Sequence, residues 1–165
     1  MNGPTSAGQL PPLAGEDFLN ASDASVAAHA GAICAQLHAQ ARPMSASPLT
    51  RALAERTVLP FSSLSSIVAS ALAEKLRAVL PAEMAACQEE FVQLLATPRL
   101  LRCTVCDLYK IVNADPASDG MLLPPLLFYK GFHALCLHRV AHALWSRNGP
   151  ADKLASLRCI MHHPP

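Results

Sequence analysis

The chain has 165 residues, 52% of them apolar and 15% charged, with 13 Lys and Arg against 12 Asp and Glu for a net charge of +1. That length fits one domain, or one domain with a tail, and the low charge excludes intrinsic disorder of the chain as a whole. The balanced charge excludes a strongly basic nucleic-acid footprint and a polyacidic tail, while a mean hydropathy of +0.26 calls for a large core or for apolar surface set against a partner.

Residues 1–15 hold three Pro, three Gly and no charge, a composition that predicts a disordered lead, drawn here to residue 20. Asn20 or Ser22 can cap an Ala-rich helix over 23–42, and Pro43 and Pro48 mark a break. Leu49, Leu53 and Val58 lie near one helical face before Pro60 interrupts; Phe61, Leu64, Val68, Leu72 and Leu76 then continue at helical spacing. Pro81 suits the first turn of a further helix, in which Met84, Cys87, Phe91, Leu94 and Leu95 form a stripe that Pro98 ends. Leu101, Val105, Leu108 and Val112 form the next stripe. Asp115 to Gly120 has turn composition, and Pro124-Pro125 leads into a last long helix over about 130–147, closed by Asn148-Gly149-Pro150. That helix is apolar on most sides, which places it centrally or under another subunit.

No segment alternates with period two for long enough to be a strand. The predicted fold is all-α, with five to seven helices. Residues 1–20 form the lead, 21–147 the helical domain and 148–165 a divergent tail. The longest charge-free runs, 24–41 and 57–73, carry His29, Gln36, His38 and Gln40, and Pro60 with five serines. Neither is the apolar 20-mer or so that a bilayer demands, so no membrane partner is expected. No basic leader precedes Arg42, so the expected setting is the cytoplasm, where six cysteines stay reduced.

Four groups bear on chemistry. Cys103 and Cys106 form a C-x-x-C, which can hold zinc or a redox pair, but no second knuckle and no strand context accompany it. The expected reading is a pair of buried helical cysteines. His138 and His142 share a helical face at i, i+4, the spacing of metal-binding pairs, but Arg139 stands where the zinc-protease pattern needs Glu. They read as polar histidines at a packed or subunit-facing surface, and no metal site is expected. His162-His163 is a terminal pair with no frame around it. Asp107 lies on the flank of the stripe, four residues from Cys103 and from Ile111. It is either solvated at the edge or aimed into a polar pocket, where it would suit an ammonium group. The single Trp and two Tyr, with no basic stripe, argue against nucleic-acid stacking.

The segment Pro125-Leu126-Leu127-Phe128-Tyr129-Lys130-Gly131-Phe132-His133-Ala134-Leu135, followed by His138-Arg139-Val140-Ala141-His142-Ala143-Leu144-Trp145, resembles the PLLYxKGFHAL…YRVAHxLW stretch of serine O-acetyltransferases. Cys106-Asp107 and Ala114-Asp115-Pro116-Ala117 resemble that family's D…RDPA helix and turn, and Pro48 to Leu76 is similar to its earlier helices. Ile33 to Arg42 is a looser match, and the likeness covers about residues 30–147. The resemblance implies acetyl transfer from acetyl-CoA to the hydroxyl of L-serine, for cysteine synthesis, by an enzyme whose helical domain precedes a hexapeptide-repeat β-helix. It implies homo-oligomers joined through helical domains. It matches Asp107 to the aspartate that binds the amino group of L-serine or of the inhibitor L-cysteine, which favours the pocket over the edge. The family's catalytic histidine, its acetyl-CoA groove and the tail that docks into O-acetylserine sulfhydrylase belong to parts with no match in these residues. The expectation is therefore a truncated helical domain, inactive alone, with no catalytic residue and no bound cofactor; the alternative is a non-catalytic helical oligomerisation module.

Overall fold

The structure, a computed structural model, describes residues 20–77, 84–147 and 149–161. Helix α1 is Asp23–Ala41, α2 Pro48–Thr57, α3 Leu64–Leu76, α4 Met84–Leu95, α5 Pro98–Ala114, α6 Leu123–Phe128, α7 Lys130–Ser146 and α8 Pro150–Met161. Short 3-10 turns at Arg42–Ala46 and Pro116–Ser118 complete the order, and no strand occurs among the described residues. The fold is all-α.

Local chemistry sets the boundaries. Ser22 caps α1 by accepting from the Ser25 amide. Ser63 and Ser66 form a reciprocal capping box that starts α3, so Phe61 falls in the preceding loop, where its carbonyl accepts from the His38 ring at 2.8 Å. Pro48 and Pro98 each stand in the first turn of a helix, where a missing N–H is harmless. Pro98 thus opens α5 rather than ending α4, which stops at Leu95. The predicted turn after α5 is present: Asp115 accepts from the Ala117 amide at 2.9 Å, and Asp119 and Gly120 take positive φ. Pro124 and Pro125 lie inside the short helix α6. Residues 1–19 of the predicted lead and Pro81 lie outside the described residues.

Val26, Ile33 and Leu37 of α1, Ile67, Val68 and Leu72 of α3, Phe91 of α4, Val105 and Leu108 of α5, and Leu137, Val140 and Leu144 of α7 fill one core. The α3–α4 and α7–α8 pairs pack most extensively, and α1 lies along α5. Gln40 of α1 accepts from the Leu122 and Leu123 amides at 3.1 and 2.9 Å and so fastens the start of α6. Lys75 of α3 donates to the Leu127 carbonyl at the other end of α6. Together these bonds fix the segment that leads into α7.

The structure adds two features to the expectations. Within the predicted tail, α8 forms and packs on α7. Helix α7 is not enclosed on most sides: Phe132, Cys136, Leu137, Val140 and Leu144 face the core, while Leu135, His138, His142 and Trp145 lie on an exposed face. No helix among the described residues is long and apolar enough to cross a membrane.

Candidate functional site

Helix α5 is amphipathic. Val105, Leu108 and Tyr109 point into the core, and Asp107 falls off that face toward α7. On α7, Arg139 stands between the buried side and the exposed side. The two meet as a bidentate pair: Arg139 Nη1 donates to Asp107 Oδ2, and Nη2 donates to Oδ1 at 3.3 Å. The side chains are only 16% (Asp107) and 24% (Arg139) exposed. Burial opposes the Arg139 charge, but the hydrogen bond to Asp107 and the charge of that carboxylate outweigh it and raise the guanidinium pKa. Asp107 is therefore not a solvated edge residue.

The same carboxylate lines an open groove of about 570 Å³. Lys110 and Ile111 of α5 and Asp115 of the following turn also line it. Tyr129, Phe132 and Leu135, from the start of α7, complete the lining. The Tyr129 hydroxyl is buried beside Asp115; desolvation, then the Asp115 carboxylate, raise its pKa. An ionised carboxylate offers about four lone-pair sites, so Asp107 can hold Arg139 and still accept from a ligand ammonium. Lys110 places a cation three residues away, exposed at the rim. The groove lining brings the Asp107 and Asp115 carboxylates and Lys110 beside the apolar Ile111, Phe132 and Leu135, so it can accept hydrogen bonds from a cationic group next to apolar surface.

The other candidates separate. Cys103 and Cys106 are free thiols on α5, half-buried rather than buried. Burial raises the Cys106 pKa, with Cys103 and Asp107 adding to it. Cys136 on α7 is buried, and that burial pushes its thiol up to about 12. His138 and His142 are exposed. No group of three or more metal-ligating side chains occurs among the described residues, so Cys103, Cys106, His138 and His142 do not form one centre. His162-His163 lies outside the described residues. Sequence reasoning missed Arg139 as a partner of Asp107, and Lys110 and Tyr129 as groove residues. The signal for Lys110 was present, since it follows Asp107 at i+3 on the same helix. The Arg139 contact spans 32 residues and had no local signal.

Residues 33–136 match the family model for the N-terminal part of serine acetyltransferases. The chain belongs to the serine acetyltransferase family. The serine acetyltransferase of Haemophilus influenzae is 32% identical over 103 residues, which are 61% of this chain and 38% of that protein. Probable serine acetyltransferase 4 of Oryza sativa subsp. japonica is 40% identical over 112 residues, 65% of this chain and 34% of that protein. The chain thus spans well under half the length of these serine acetyltransferases. Among solved structures, soybean serine acetyltransferase complexed with serine superposes with a TM-score of 0.71 at 28% identity, covering 81% of this chain and 54% of that one. Neisseria gonorrhoeae serine acetyltransferase in complex with serine gives 0.68 at 29%, covering 90% and 55%.

Proposed function

We propose that this chain is the amino-acid-recognising helical unit of a serine O-acetyltransferase, with Asp107 taking the ammonium of L-serine, or of L-cysteine as inhibitor. The observation that carries this reading is the Asp107 carboxylate, oriented by Arg139 and lining an open groove. Two similar structures hold serine, which supports an amino acid as the ligand. Acetyl-CoA is the co-substrate of the reaction the whole enzyme would perform. The helical unit is taken as 21–147, and the family match stops short of 148–165. Free thiols at Cys34, Cys103, Cys106 and Cys136 support a reducing compartment such as the cytoplasm.

The groove supplies recognition but no base for the serine hydroxyl, and proton removal needs a base within about 3 Å of it. The 165 residues alone should therefore bind without turning over. Incubating the purified chain with L-serine and acetyl-CoA and following thiol release tests this. The expected result is release at the background rate; turnover of roughly 1 s⁻¹ or more contradicts the recognition-only role.

A second reading, a homo-oligomerisation module, is favoured by one observation. Phe128, Leu135 and Trp145 are large apolar side chains left 59%, 40% and 45% exposed, and they would mark a contact site if they form one patch. Sedimentation at several concentrations distinguishes it: a monomer throughout removes this reading.

A further inference from the structure

Three of the histidines are engaged in holding the fold. His29, His38 and His133 each donate a ring N–H to a backbone carbonyl, of Ser25, Phe61 and Leu126 respectively. His138 and His142 differ. Both are exposed on α7, and among the described residues neither ring has a hydrogen-bond or ion-pair partner. They stand four residues apart within the unbroken helix Lys130–Ser146. Residues at that spacing have Cβ atoms about 5–6 Å apart, and their side chains lean the same way along the helix. Two imidazoles so placed can direct one ring nitrogen each at a common ion. Cationic side chains of this region are engaged elsewhere: Arg139 with Asp107, Arg147 with Glu90, and Lys153 with the Trp145 ring, whose centroid lies 5.6 Å from Nζ.

We infer that His138 and His142 form a two-imidazole site for a borderline divalent transition metal, with water in the remaining positions. Imidazole suits Ni²⁺, Cu²⁺ and Zn²⁺, whereas Mg²⁺ prefers oxygen ligands. The second imidazole acts at high local concentration, so losing either one removes the chelate and lowers affinity by a factor of about 100 or more.

The test is calorimetric titration with Ni²⁺ of the full chain carrying His162→Ala and His163→Ala, so that the terminal pair does not contribute. The expected result is saturable binding that weakens about 100-fold or more in His138→Tyr and separately in His142→Ala, with unchanged helical circular dichroism. Cys103→Ser with Cys106→Ser should leave the affinity as it was, and Mg²⁺ should give no binding. Absence of Ni²⁺ binding overturns the inference, as does equal affinity in either histidine variant. Loss of binding in the cysteine variant places the ion elsewhere and overturns it too.

Discussion

Asp107 and Arg139 hold each other in a place where neither would be stable alone. Removing the guanidinium leaves a mostly buried carboxylate with its charge uncompensated. Arg139→Ala should destabilise the fold by about 2 kcal/mol, the scale of a hydrogen bond to a charged group, read as a lower urea midpoint. Arg139→Lys should recover only part of this, because an ammonium cannot reproduce the two-pronged bond. Cys136 makes a second case. Its thiol is raised from 9.0 to about 12 by burial, so the folded state holds this proton more tightly than the unfolded chain does. That contribution to stability is complete below pH 9 and is lost as the pH climbs toward 12. In native protein at pH 8, a thiol reagent should modify half-buried Cys103 at least about tenfold faster than Cys136; equal rates contradict the burial described. At this scale the flank position of Asp107 left edge and pocket both open, and only the resemblance of the motif around it favoured the pocket. Arg139 was not, because its role exists only once α5 and α7 are side by side.

Helix boundaries were legible wherever a capping residue or a proline acted locally. Ser22 and the Asp115 turn are examples. The prolines carried an ambiguity: Pro98 and Pro150 follow one helix and open the next, and sequence alone does not say which act matters. Reading Pro150 as a stop hid α8, whose exposed Leu154 and buried Ser156 give little apolar periodicity. The fastening of α6 was equally hidden, since Gln40 reaches its two amides across 82 and 83 residues. Gln40→Ala should leave both N–H groups without an acceptor and destabilise the protein by about 1–3 kcal/mol. Hydrogen exchange should localise the effect, with the Leu122 and Leu123 amides exchanging faster while those of α3 are protected as before. Uniform acceleration would show that Gln40 does not act on α6 in particular.

At the scale of the molecule, apolar content and helical period announced an all-α core, and the chain folds as the helical part of a serine acetyltransferase. The high mean hydropathy has two sources: the shared core around Leu37, Leu72 and Leu108, and an open face bearing Leu135 and Trp145. Composition could not divide them, because the division depends on which side of α7 meets the other helices. The groove is likewise a property of the assembled bundle, made where α5, the Asp115 turn and the start of α7 converge. The central claim is that its carboxylate recognises an amino acid by the ammonium group. Titrating the chain with L-serine while following backbone amide resonances by NMR tests it most directly. Saturable shifts are predicted at Lys110, Gly131 and Phe132, abolished in Asp107→Asn and absent with 3-hydroxypropionate, which lacks the ammonium. No saturable shift with serine, or shifts of equal size in Asp107→Asn, would contradict the account.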